Sequence, residues 1–117
     1  MAAVTEGDRM AGGYLLASGG PQADQLVEVT SPAASRVSLH RTVGGSMQTA
    51  SFFTVPANDA LRLVPGGDHL MLEGLVSPLA PGATVPLRLR FASGEILDVS
   101  APVVALVDVL DIYDGGW

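Results

Sequence analysis

Thr84-Val-Pro-Leu-Arg-Leu-Arg-Phe91 alternates without a break. Val85, Leu87, Leu89 and Phe91 fall on one side, and Pro86, Arg88 and Arg90 on the other. Successive side chains of an extended chain point to opposite faces, so this is a strand with one face buried and one in water. Pro86 has no amide hydrogen to give a neighbour, which predicts an edge position for the strand.

The same period recurs on both sides of this stretch. Downstream, Ser93-Gly94 turns the chain into an extended run over 95–104. Upstream, 36–40 sends Val37 and Leu39 inward and Ser38 and His40 outward. The run 25–30 sets Leu26, Glu28 and Thr30 against Val27 and Val29, and 13–17 reads as a first strand. Residues 52–55, 60–64 and 69–72 are further extended pieces, and 76–80 could close one short helical turn. Gly44-Gly45 signals a tight hairpin. The chain has 14 glycines and 8 prolines, and they fall between these runs. Seven or eight short strands joined in this way predict an all-β domain, a sandwich or Greek-key barrel. The 117 residues fit a single domain, 1–117.

Composition narrows the function. Hydrophobic residues make up 48% of the chain, enough for a core. The net charge is −6, with six Lys and Arg scattered along the chain, so no basic stripe exists to meet nucleic acid or an anionic membrane. No apolar run has a membrane-spanning length. There is no cysteine, which removes disulfides, thiolate nucleophiles, zinc fingers and blue-copper thiolate sites together. Met1-Ala-Ala-Val-Thr-Glu6 has neither the basic start nor the apolar core of a signal peptide, which fits a cytosolic chain or a mature form. Neither histidine stands in a catalytic-triad context, so no catalysis is expected. Asp108, Asp111 and Asp114 lack the glycine and bidentate glutamate of a calcium loop and read as a solvated edge.

The chemistry concentrates in two segments, His40-Arg-Thr-Val-Gly-Gly-Ser-Met47 and His69-Leu-Met71. They hold both histidines and two of the four methionines. On a strand, His69 and Met71 share a face while Leu70 and Leu72 enter the core. A hairpin over 40–47 brings His40 toward Met47. Imidazole with thioether is a donor set for soft Cu(I) rather than for Ca²⁺ or Mg²⁺. Thioethers also need no deprotonation, so such a site keeps its ion in mildly acid surroundings. Met1 is the initiator, and Met10 reads as packing. Glu73 shares the face of His69 and Met71, either to orient a ligand or as a solvated rim carboxylate. Of Phe52 and Phe53, one is expected in the core and the other near the site. Arg41 adjoins His40, and Trp117, the lone tryptophan, would report on docking of the tail.

Residues 13–103 resemble the extracytoplasmic copper chaperones of the PCuAC family. Their signature is a histidine, a methionine, twenty-one residues and His-x-Met. Here twenty-one residues separate Met47 from His69-Leu70-Met71. Gly13-Tyr14-Leu15, Leu26 to Pro32, Ser38-Leu39-His40, Val55-Pro56-Ala57, Pro65 to Leu72 and Gly74-Leu75 also match. The resemblance implies a cupredoxin-like Greek-key barrel and Cu(I) held by His40, Met47, His69 and Met71. It implies an extracytoplasmic, monomeric carrier with an apo CuA domain of cytochrome c oxidase, or another copper acceptor, as partner. A copper storage or resistance module, and a metal-free β-sandwich interaction domain, stay open as alternatives.

Two departures stand out. The family usually has ten residues between its first histidine and the motif methionine, and here there are six. Residues 1–10 also do not look like the family's opening strand, whereas the tail 107–117 does. One expectation is a permuted or strand-exchanged chain whose tail supplies that strand. The other is a plain C-terminal extension.

Overall fold

The computed structural model describes residues 2–44, 46–65 and 67–105. They form ten strands: β1 (Ala2–Thr5), β2 (Met10–Ser18), β3 (Asp24–Thr30), β4 (Ala34–Val43), β5 (Ser46–Ala50), β6 (Phe53–Val55), β7 (Ala60–Leu63), β8 (His69–Leu75), β9 (Thr84–Phe91) and β10 (Ile96–Val104). The neighbour order is β5-β4-β8-β2-β1-β10-β9-β3-β6, with β7 also paired to β2. The all-β expectation holds.

β1 links two layers, lying between β2 and β10 in the neighbour order. It runs antiparallel to β2 and parallel to β10. One layer, with β1, β2, β4 and β8, contributes Val4, Leu15, Leu39, Leu70 and Leu72 to the core. The other, with β3, β6, β9 and β10, contributes Leu26, Phe53, Leu87, Leu89 and Val103. Burying these apolar faces against each other is the main force holding the layers together.

β9 follows the predicted alternation from end to end, every second residue being buried. Its place differs, however: β9 lies between β10 and β3, not at an edge. Pro86 is tolerated because its ladder to β3 stops at Thr30↔Arg88. At Pro86 the strand has a partner only in β10, opposite Ser100, and is locally an edge.

Two further expectations are corrected. Leu26 and Val29 are both buried although they differ in parity. A register shift between Leu26 and Glu28 resets the alternation, as an extra residue in a strand does. Residues 76–80 form no helical turn, and Leu79 instead bridges Gly7. Ala2–Thr5, within the stretch that does not look like the family's opening strand, forms β1 with Val4 fully buried. Residues 107–117, whose role was left between a supplied strand and an extension, lie outside the described residues.

Candidate metal centre

β4 and β8 run side by side, and their register builds the site. His40 stands opposite His69, Ser38 opposite Met71, and Arg36 opposite Glu73. Side chains of directly opposed residues project to the same side. Leu39 and Leu70 are paired and buried in the core, so the intervening His40, His69 and Met71 face outward together. The apolar positions of the two strands thus fix where the chemical ones go.

β5 adds the fourth residue. The β4–β5 hairpin closes over two residues, with Val43 opposite Ser46. Gly44 takes a φ of 57°, the left-handed value that such tight hairpin turns need and glycine adopts freely. The register sets Met47 opposite Thr42 and His40 opposite Thr49. Met47 is therefore one diagonal step from His40, on the same face. The shortened hairpin places Met47 on the face of His40, but at the rim, 59% exposed.

The two imidazoles lie with ring centroids 5.5 Å apart and planes inclined at 45°. With a metal–nitrogen bond of about 2.0 Å, two rings sharing one ion stand roughly 5–6 Å apart, so the spacing suits a shared ion. His69 is only 8% exposed. Its Nδ1 lies 3.0 Å from the carbonyl oxygen of Gly67. A carbonyl only accepts, so Nδ1 must carry the hydrogen and donate it. In the neutral ring Nε2 then keeps a lone pair for an ion. His40 Nδ1 and Ser38 Oγ are buried with no hydrogen-bond partner among the described residues. A buried polar atom without a partner is costly, and a bound ion would satisfy the imidazole.

A third ring completes the wall. Tyr14 on β2 lies 6.4 Å from His69, tilted by 44°. Its ring crosses Gly12, where a Cβ would come within 2.8 Å of the phenol oxygen, and Gly12 is opposite Met71. The missing side chain at Gly12 makes room for the ring beside the site. Burial pushes the Tyr14 phenol above its usual pKa. Tyr14 is legible in the sequence as part of a strand and of a family-like segment, but not beside His69, because that approach depends on the β2–β8 register.

One expectation changes here, and one open alternative is decided. Met10 is not core packing: it sits on the outer face opposite Glu73 and is 50% exposed. Glu73 does not reach a histidine, since its carboxylate accepts from Arg36 Nε at 2.7 Å. Arg41 turns away, its guanidinium donating to the Phe52 carbonyl. Phe53 is the core member of its pair and Phe52 the exposed one. Among the described residues no three of His, Asp and Glu converge as a hard-donor cage. No helix among them is long and apolar enough to cross a membrane.

Comparison with known proteins bears on the family and the fold. The family model described as "Putative lipoprotein LpqE-like" matches residues 1–103. The "Putative lipoprotein Lxx21020" of Leifsonia xyli subsp. xyli is 41% identical over 95 residues. That match covers 77% of this chain, which spans only 57% of the relative's length. Among solved structures, the copper-bound PCuAC domain from PmoF2 superposes with a TM-score of 0.76 at 21% identity, covering 89% of this chain and 88% of that one. The solution structure of CuI-DR1885 from Deinococcus radiodurans gives 0.74 at 32% identity, covering 87% and 74%. The fold is thus that of the PCuAC domains, with a face of histidine and methionine on one layer. The chain belongs to the LpqE-like family.

Proposed function

We propose that this protein is an extracytoplasmic copper carrier that holds one Cu(I) ion through His40, Met47, His69 and Met71. The observation that carries the reading is the His40–His69 pair: two imidazoles 5.5 Å apart, with one ring nitrogen buried and unpartnered. Met71 and Met47 add soft thioethers on the same face, a set that favours Cu(I) over harder cations. The structural relatives caught with copper support the choice of ion. The lipoprotein description of the family supports the location.

Carriage suits the site better than storage. One ligand is at the rim and the ion would sit on an outer face, so an acceptor could reach it. A set without thiolates can also surrender its ion to an acceptor that has them. The acceptor we assign is the apo CuA site of cytochrome c oxidase. Mixing the Cu(I)-loaded protein with an apo CuA domain, and separately with an unrelated copper protein, tests this. Fast, near-complete transfer to CuA alone is expected. Equal transfer to both, or retention by the carrier, would point to a storage role.

A further inference from the structure

We propose that Thr42 is the positioning residue of the copper site, tying three of its four ligands into one unit; this rests on the copper-binding reading above. Thr42 follows His40 by two residues on the same face of β4. It stands opposite Met47 in the hairpin. Its hydroxyl donates to the Gly67 carbonyl at 2.9 Å. That is the oxygen to which His69 Nδ1 donates.

A carbonyl oxygen has two lone pairs, and here both are used. The Thr42 hydroxyl holds the oxygen in place, and the oxygen fixes the direction and tautomer of His69. The Thr42 amide also points to Asp68 Oδ1, at 3.4 Å. The β4–β8 ladder ends at His40↔His69, so beyond it these side-chain bonds join the two strands. The turn itself is closed by Val64 and Gly67, whose amides donate to the Asp68 and Val64 carbonyls. Without the hydroxyl, the turn keeps its own bonds and the amide contact to Asp68, but the Gly67 carbonyl loses its tie to β4. His69 would then be free to rotate or to exchange tautomers. Groups that orient a metal-binding histidine in this way typically change metal affinity by about 10–100-fold when removed.

The test compares wild type, Thr42→Val and Thr42→Ser by competition with a Cu(I) chelator. In parallel, ¹⁵N NMR of the metal-free proteins reads the tautomer of the His69 ring. Thr42→Val should lose about tenfold or more in affinity and show a mixture of tautomers. Thr42→Ser, which keeps the hydroxyl, should restore both. Thr42→Ala serves the same purpose as Thr42→Val should valine disturb the fold. Wild-type affinity and a single His69 tautomer in both hydroxyl-free variants would overturn the proposal, as would equal losses in Thr42→Ser. If wild type itself bound no Cu(I), the copper reading would fail. The tautomer comparison would still decide what Thr42 does.

Discussion

His40 and His69 face each other across the β4–β8 ladder with ring centroids 5.5 Å apart. They are 29 positions apart in the chain (69 − 40). Only the strand register makes them neighbours, and that register is set by apolar residues one position away. Leu39 and Leu70 must be buried as a pair, so their neighbours must emerge as a pair. The packing of the core and the assembly of the site are therefore one event. This leads to predictions that separate ligand, rim and core residues.

Met47 and Met71 should differ in what they do without metal. Met47 is on a rim strand and mostly exposed, whereas Met71 is half-buried between Ser38 and Gly12. Met47→Ala should leave the metal-free stability within about 0.5 kcal/mol of wild type, as surface changes do. Both Met47→Ala and Met71→Ala should weaken Cu(I) binding. Urea unfolding of the metal-free variants and chelator competition measure the two effects. Unchanged Cu(I) affinity in Met47→Ala would remove it from the ligand set.

Glu73 should be silent toward copper. Its carboxylate is engaged by Arg36 across the strands, and Arg36 is largely exposed. Glu73→Gln should therefore change stability by no more than about 1 kcal/mol, the usual worth of a surface ion pair. Its Cu(I) affinity should equal that of wild type. A clear loss of affinity would mean that the carboxylate turns toward a histidine when the ion is bound.

Phe53 and Phe52 are adjacent and should behave oppositely. Phe53 is 1% exposed in the core, and Phe52 is 38% exposed. Phe53→Ala should cost about 3–5 kcal/mol through lost burial and the cavity left behind. Phe52→Ala should cost much less in the same unfolding experiment. Comparable losses would contradict the assignment of Phe53 to the core and Phe52 to the surface.

Asp24 sets an acid limit. Its carboxylate accepts from the Ser93 hydroxyl at 2.6 Å and from the Gln25 and Ser93 amides at 2.8 and 3.1 Å. The Ser93 hydroxyl, followed by the Gln25 amide, holds the carboxyl below its usual pKa. A carboxyl depressed in the folded state stabilises the protein above its unfolded pKa. That contribution is lost as pH falls through the lower, folded value. The gap in urea midpoint between wild type and Asp24→Asn should therefore shrink on strong acidification. A gap independent of pH would argue against it.

Local signals made much of this fold readable. The alternation over Thr84–Phe91 and the two-residue hairpin at Gly44 need no distant information. That His69 and Met71 share a face follows from strand period alone. What stayed hidden depends on partners far along the chain. β1 is four small or β-branched residues that become a strand only between β2 and β10. β5 is polar and mostly exposed, so its pairing with β4 rather than its own composition defines it. The interior place of β9 was masked because Pro86 lies just past the end of β3's ladder. Tyr14 and Thr42 are linked to His69 through register and a shared turn carbonyl, neither of which a spacing rule reveals.

The central claim is the ligand set, and X-ray absorption at the copper edge on the Cu(I)-loaded protein tests it most directly. One ion per chain with two sulfur and two nitrogen neighbours is predicted for Met47, Met71, His40 and His69. A shell of nitrogen and oxygen alone would contradict it.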